Sequence, residues 1–483
     1  MEEASALIAA MRNAVPPGRA SLDRDEISLL RSLTRSILLQ SPESEAEYLR
    51  DLAIRDRSLP VPMEMAGGWV KGRSVLVTGG TGCVGSMLIG FLSGLGPERV
   101  VSVSRGVTRG WARVNGAEYV HADVRDESAL AAVFADVRPD VVFHVAGQRD
   151  PGLAERAVHE TVTTNVLGTR NVIAAAERFG VARFVLASTG KVVIPYAPDV
   201  YTATKRVAEW LTANAAGRDG ILCAAARFTH IVDNSIVYQR IAEGCENGLI
   251  RIHGPHSAFY AQSARESAQL LICAELEMRA GSLGVHAITD LGWPIDLLSL
   301  ALGALSRTGS DAIIYFSGYD AGYRGHVPFP GQYDPRSSWE TSPLVNALEA
   351  RNGRQADYGH VDVFPRFPLT SVNLENRFLG LLEACAGTQD PEAIRSELYA
   401  LSWSIFDETL DTVPIETLAS IAGSGIYRSS PEGIAHPRIL AAMEGRVARH
   451  ARGNSETVTL ACAARTPPSR CLPSARYGGP PPA

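Results

Sequence analysis

Cysteine is scarce in this chain: seven residues in 483, scattered at positions 83, 223, 245, 273, 385, 462 and 471. There is no CxxC pair and no Cys/His cluster at metal spacing. This argues against a disulfide scaffold or a zinc module, and a reduced, cytoplasmic compartment fits best. No stretch reaches about 18 uninterrupted apolar residues, so no membrane span is expected. The first residues, MEEASALIAAMRNAVPPGR, start acidic and lack a long apolar core, unlike a signal peptide. No basic run could neutralise a phosphate backbone, and the net charge is −6, so nucleic acid is not an expected partner.

What remains is ordinary globular material, 46% hydrophobic and 20% charged. At about 150 residues per domain the length gives two to three domains. Residues 1–70 read as a helical leader, with Ile27, Leu30, Leu33, Ile37 and Leu38 at helical spacing. From Lys71 short apolar runs alternate with helical patterns. Strands are expected at 74–77, 100–103, 119–121, 141–145, 184–187 and 222–226. Helices are expected at 84–95, 126–137, 154–179 and 200–215. This order predicts an α/β fold, a Rossmann-type doubly wound parallel sheet with a smaller substrate-binding region. The cofactor part is expected to run to about residue 230, within a unit spanning 71–310. Helices at 266–278 and 293–305 follow. Residues 317–340 are rich in Gly, Pro and Tyr and read as a long loop within a mainly helical extension, 311–452. Residues 453–483 read as a disordered tail.

Val75–Gly85 places Gly79, Gly82 and Gly85 directly after a strand and before a helix. That context turns a Gly-rich string into a phosphate cradle: a tight turn, close backbone approach, and helix N–H groups aimed at a pyrophosphate. After the second strand stand Ser104 and Arg105 rather than an acid. A hydroxyl and a guanidinium suit a 2′-phosphate, which favours NADP, with NAD as the alternative. Asp123-Val124 follows the third strand, beside the expected adenine; helix capping is the competing role for Asp123.

Tyr201 and Lys205 lie four apart on an expected helix, hence on one face. An ammonium near a phenol lowers its pKa from about 10, and the phenolate can take a hydroxyl proton. Alone the pair would read as a surface pair. Ser188-Thr189-Gly190-Lys191 at the end of the fifth strand changes that, because strand carboxyl ends are where such sheets bind ligands. Lys191 reads either as a base acting beside a transient ketone or as a solvated loop lysine. Asn165 is expected to hydrogen-bond backbone near the site, and Arg227 reads as a core-edge residue. His144, His230, His253 and His256 lack ligand spacing, so no metal site is expected.

These residues resemble the extended short-chain dehydrogenase/reductase family, of the NAD-dependent epimerase/dehydratase type. Within it they are most similar to the sugar-nucleotide dehydratases and epimerases of bacterial polysaccharide biosynthesis. The resemblance covers about residues 71–275: TGGTGCVG (78–85), SR (104–105), ADVRD (122–126), TNVLGT (164–169), STGK (188–191), YTATKR (201–206) and RFTHIVDNS (227–235). It implies Thr189 as the catalytic hydroxyl, Tyr201 and Lys205 as the acid/base pair, and Lys191 at the position of a base. It also implies dinucleotide contacts from Gly79, Thr81, Gly82, Cys83, Val84, Gly85, Ser104, Arg105, Asp123, Val124, Ala146, Asn165, Tyr201 and Lys205. The family's dehydratases carry STDK, so Gly190 replaces an acid. That disfavours water elimination and suits epimerisation or net oxidoreduction. Phe259 falls where the family places an arginine for the nucleotide diphosphate, and Arg251 is the substitute cation considered. The resemblance implies a nucleotide sugar as substrate, a non-nucleotide sugar or cyclitol being the alternative. A cofactor-binding sensor without catalysis is the rival from another class. Analogy also points to a homodimer through helices 154–179 and 200–216.

Overall fold

The computed structural model describes residues 2–454 apart from 61, 107–112, 195, 197–198, 219, 256, 319–340, 388, 431–432 and 435. Most of the Gly/Pro/Tyr-rich loop and nearly all of the expected tail therefore lie outside the described residues.

The leader folds as α1 (Glu2–Ala14), α2 (Arg24–Leu39), α3 (Ser44–Leu52) and α4 (Met63–Val70). Asp23 and Glu26 close a capping box at the start of α2. The parallel strands follow: β1 (Ser74–Thr78), β2 (Arg99–Ser104), β3 (Glu118–His121), β4 (Val141–His144), β5 (Arg183–Thr189) and β6 (Leu222–Phe228). Between them run α5 (Cys83–Gly94), α6 (Glu127–Val137), α7 (Pro151–Arg156), α8 (Val158–Val162), α9 (Gly168–Arg178) and α10 (Val200–Ala216). β1, β4 and β5 are buried along their whole length, as near-continuous apolar strands covered on both faces must be.

Three short pieces come next: β7 (His230–Ile231), α11 (Ile236–Asn247) and β8 (Leu249–Ile252). Then follow β9 (Ala258–Phe259), β10 (Ala261–Gln262), α12 (Ala264–Leu276), β11 (Leu283–Ile288), β12 (Ile295–Asp296), α13 (Leu297–Thr308) and β13 (Ile313–Phe316). The last part holds α14 (Ala347–Ala350), β14 (Arg354–Gln355), β15 (Val361–Arg366), α15 (Val372–Ala386) and α16 (Pro391–Asp411). It ends with α17 (Ile415–Gly423), α18 (Gly425–Ser429) and α19 (Pro437–Asn454).

The main sheet has the order β14-β15-β11-β6-β5-β4-β1-β2-β3. Its centre is the doubly wound order 3-2-1-4-5-6, whose direction reverses between β1 and β4 and opens a ligand crevice there. β11 joins parallel to β6, and β15 and β14 close the edge antiparallel.

Several sequence expectations change. The helix expected over 154–179 is broken at Ala157 and carries a π-turn over Thr163–Leu167. The helix expected to start at Trp293 starts at Leu297, capped by Asp296. Within the stretch expected to be mainly helical, β14 and β15 join the main sheet. β13 also pairs with β8 across the expected boundary at 310. Alternation in Val361–Phe364 was hidden by short length and by Pro365.

The leader is a packing element. Met11, Val15, Leu30, Ile37 and Ile54 share one core with Ile250, Ile252, Leu300, Ile313 and Tyr315. The face expected to form a homodimer is covered by the chain itself. Val158, Val162, Ala203, Val207 and Trp210 share a core with Leu374, Leu381, Leu398, Leu401 and Ile405 of α15 and α16. Trp210 meets Phe378 edge-on at 5.7 Å and donates to the Leu369 carbonyl at 2.9 Å. The apolar faces of α8 and α10 are therefore packed against α15 and α16 of the same chain.

Candidate functional site

The crevice is built around the β1–α5 turn. Gly79 has φ of +73°, and a Cβ there would stand 2.7 Å from the Ala146 nitrogen. A Cβ on Gly85 would overlap the Gly79 carbonyl and stand 2.8 Å from Gly80 Cα, so only glycine lets α5 lie this close to β1. Gly82 is the N-cap of α5 and has no side chain to occupy the first-turn N–H groups. Those groups, with the positive end of the helix, fit a pyrophosphate. The residues present thus fit a dinucleotide. Thr81 donates to the Gly106 carbonyl at 2.7 Å, and Cys83 is buried, its thiol pushed up to about 12 by that burial. Val84 opens the helix beside it. Val124 packs where a Cβ on Gly168 would sit.

At the far end of the crevice Ser104 donates to the Gly106 carbonyl at 3.1 Å, and Arg105 pairs with Glu160 at 3.2 Å. Asp123 is bound by Arg125 at 2.6 Å. Burial acts to raise the Asp123 carboxyl, and hydrogen bonds from Arg125 outweigh it and hold it low, with Arg105 adding to the effect. The helix cap that competed for Asp123 belongs instead to Asp126, which accepts from Ala129 N at 2.9 Å.

Between cofactor crevice and substrate side stand Thr189, Tyr201 and Lys205. Thr189 ends β5, its hydroxyl accepts from Lys191 N at 3.3 Å, and it lies close enough to the Tyr201 phenol to act on it. Asp199 caps α10 through Thr202 N at 2.8 Å, which fixes where the helix and hence Tyr201 begin. Burial pushes the Tyr201 phenol up to about 12, against the lowering effect of Thr189. Lys205 Nζ donates to the Ala187 carbonyl at 2.8 Å, and burial brings it down to about 8, with Glu209 opposing. The Lys205 ammonium is thus anchored on strand backbone, a contact that the i, i+4 spacing did not reveal. Asn165, in the π-turn, accepts from Gln148 N at 2.7 Å and donates to Gln148 O and Thr204 Oγ1 at 3.0 Å each. It fastens the loop after β4 to α10. Lys191 is partly buried, its ammonium lowered by burial against an opposing effect of Asp199.

A Cβ on Gly190 would overlap Leu344 Cδ2 and stand 3.1 Å from Leu344 Cγ, so a larger residue there needs the Leu344 side chain to move. Phe259 packs against His230 at 4.5 Å between ring centroids with the rings tilted by 50°, where the resemblance places a cation. Arg251 is turned elsewhere, donating to the Arg19 and Ala20 carbonyls at 3.0 Å each and tying down the leader.

Four residues that sequence reasoning missed shape this site. Glu209 lies one turn beyond Lys205, so the i, i+4 spacing from Tyr201 could have revealed it. Arg149, after β4, donates to the Asn234 carbonyl at 3.3 Å and helps lower His230, which burial carries to about 4. Leu344 and Asn346 had no sequence signal, because only the fold brings them to β5. Arg227, read as a core-edge residue, is fully buried and spends all five donors on Glu209, Glu349 and the Leu344 carbonyl.

The description "NAD dependent epimerase/dehydratase family" matches residues 75–235. The match is to this span and not to the rest of the chain. The strands and glycine turn of this span are the crevice described above. The chain is 28% identical over 258 residues to a probable polysaccharide biosynthesis protein, EpsC, of Bacillus subtilis, covering 50% of this chain and 41% of that protein. It is 28% identical over 295 residues to the capsular polysaccharide biosynthesis protein CapD of Staphylococcus aureus, covering 57% and 47%. The chain thus spans less than half the length of these two relatives. The solved structure of Pen from Bacillus thuringiensis superposes with a TM-score of 0.52 at 22% identity, over 63% of this chain and 89% of that one, and shares the fold. Among the described residues no helix is long and apolar enough to cross a membrane.

Proposed function

We propose that the chain is an NAD(P)-dependent sugar-modifying enzyme that epimerises a nucleotide sugar through a transient ketosugar. The observation that carries this is the meeting of Thr189, Tyr201 and Lys205 at the end of β5, beside the glycine cradle of the span that matches the epimerase/dehydratase family. A similar Campylobacter jejuni protein, 30% identical over 171 residues, is a UDP-N-acetylglucosamine 4,6-dehydratase, which supports a UDP-sugar as substrate.

The dinucleotide, held by the Gly79–Gly85 turn, supplies hydride acceptance and return. Thr189 orients the substrate oxygen by its hydroxyl. Tyr201 takes the proton of a ring hydroxyl at its phenolic oxygen. Lys205, held on the Ala187 carbonyl, keeps a positive charge behind that oxygen. Lys191 removes and returns a proton at the neighbouring carbon, aided by the burial that lowers its ammonium. Gly190 supplies no acid to protonate a departing hydroxyl, which favours epimerisation over elimination.

NADP is the finer reading of the cofactor. Arg105, next to Ser104, is the cation for a 2′-phosphate, and it pairs with Glu160 at 3.2 Å. The buried free thiols of Cys83, Cys223, Cys273 and Cys385 suit a reducing cytoplasm. The test is turnover of UDP-N-acetylglucosamine and UDP-glucose with NADP, followed by proton NMR and by reduced-nicotinamide absorbance. Epimer formation without net absorbance change, lost in Tyr201→Phe, is the expected result. Stoichiometric reduction of the cofactor would make it a dehydrogenase instead, and intact turnover in Tyr201→Phe would remove Tyr201 from the chemistry.

A further inference from the structure

We propose that residues Ser342–Glu349 form a working wall of the active site, and that Asn346 is a positioning residue for the loop between Thr189 and Tyr201. The proposal rests on the reading of Thr189, Tyr201 and Lys205 as the reacting side chains.

The loop Gly190–Asp199 carries Lys191 and sets the spacing between the reacting hydroxyl and phenol. Its described residues hold one 3-10 turn, over Gly190–Val193. Side chains hold the loop. Three successive carbonyls each receive a donor: Arg206 Nη2 reaches Val192 O at 2.5 Å and Ile194 O at 3.2 Å, and Asn346 Nδ2 reaches Val193 O at 2.9 Å. Arg206 comes from α10, the helix of Tyr201. Asn346 comes from 153 residues further along the chain. Leu344 sits on Gly190, and Tyr196 shares a 3.0 Å hydrogen bond with His436, under the Arg438 guanidinium at 5.4 Å.

The wall is itself tied to the strand end. Arg227 donates to the Leu344 carbonyl at 2.9 Å and grips Glu209 at 3.0 Å, and Glu209 accepts from Ser188 at 2.6 Å. A closed path of buried polar contacts therefore runs from Ser188 through Glu209, Arg227 and the Leu344–Asn346 backbone to Val193. A reacting oxygen placed between Thr189 and Tyr201 tolerates misplacement of only a fraction of an ångström before rate is lost. Tethers on the intervening loop are where that precision comes from.

Asn346 does two separable things. Its Oδ1 caps α14, accepting from Leu348 N at 3.1 Å and Glu349 N at 3.0 Å, while its Nδ2 makes the tether to Val193. Serine is an equally good cap but is too short to reach Val193 O. Asn346→Ser therefore removes the tether and keeps the cap.

The experiment compares parent, Asn346→Ser and Tyr201→Phe by hydrogen exchange and by turnover of UDP-N-acetylglucosamine with NADP. In Asn346→Ser, amide exchange over 190–194 becomes about tenfold faster or more, with residues 75–90 unchanged. The same variant loses about tenfold in kcat, with KM and dinucleotide affinity within about twofold of the parent. Parent-level exchange over 190–194 overturns the tether. Faster exchange with parent-level kcat overturns its positioning role. Turnover retained in Tyr201→Phe overturns the underlying assignment of the reacting side chains, whatever Asn346→Ser does.

Discussion

Arg227→Met tests the buried charge cluster behind the site. The guanidinium is fully buried and gives Nε and Nη2 to Glu209 at 3.0 Å each, Nη1 and Nη2 to Glu349 at 2.8 Å each, and Nη1 to Leu344 O at 2.9 Å. All five donors of an arginine are thus engaged. Removing one partner of a buried ion pair costs about 3–5 kcal/mol, because a charge is left uncompensated. Here Arg366 also faces both carboxylates, 3.1 Å from Glu209 Oε2 and in contact with Glu349. With Arg206 and Arg366 still present, the cluster falls from three guanidiniums and two carboxylates to two of each. The expected loss is therefore at the low end, about 3 kcal/mol. Arg227→Lys keeps the charge and three donors and should cost about 1–2 kcal/mol. The assay is urea unfolding followed by tryptophan fluorescence, with unchanged m-values as the check that only stability moved. Arg227→Met within about 1 kcal/mol of the parent would refute the reasoning, since the five bonds would then carry no net stabilisation.

Two further outcomes follow from the geometry. Gly85→Ala puts a Cβ against the Gly79 carbonyl and 2.8 Å from Gly80 Cα, which forces α5 away from β1. Calorimetric titration should show dinucleotide affinity falling by about 30-fold, or about 2 kcal/mol, and a loss under about threefold would contradict the cradle. His144, buried between Thr78 Oγ1 at 2.7 Å and Thr169 Oγ1 at 3.0 Å, is brought down to about 3 by burial, with Lys205 adding to it. Its folded value lies below the unfolded one near 6.5, so only the unfolded chain takes up this proton at intermediate pH. Its contribution is full above about pH 6.5 and falls as pH drops towards about 3, by about 2 kcal/mol at pH 5. Unfolding midpoints of parent and His144→Asn at neutral and acid pH should show this dependence in the parent alone.

The legible parts of the fold were local. Strands β1–β6 announced themselves as short apolar runs, and Gly79, Gly82 and Gly85 marked the turn; at Gly79 and Gly85 the close backbone excludes other residues. Asn165 was legible as a backbone-bonding amide near the site, although the π-turn that carries it was not. The spacing of Tyr201 and Lys205 placed both on one face of α10. It did not show that Lys205 would bind the Ala187 carbonyl, because that bond depends on how far α10 stands from β5. Arg105 and Arg251 illustrate the same limit: the sequence offered free cations, and each is engaged by an element distant in the chain.

The sequence by itself determined the alternation of strand and helix, the glycine turn, and the residue types available for proton transfer, since these depend on neighbours within one or two turns. The tertiary structure alone decided what surrounds them. Leu344 fills the space over Gly190, α15 and α16 pack on α8 and α10, and β15 completes the sheet antiparallel. The physical reason is separation along the chain. Contacts across 100 residues or more are set by packing and by the pairing of buried charges such as Arg227 with Glu349, which no local periodicity encodes.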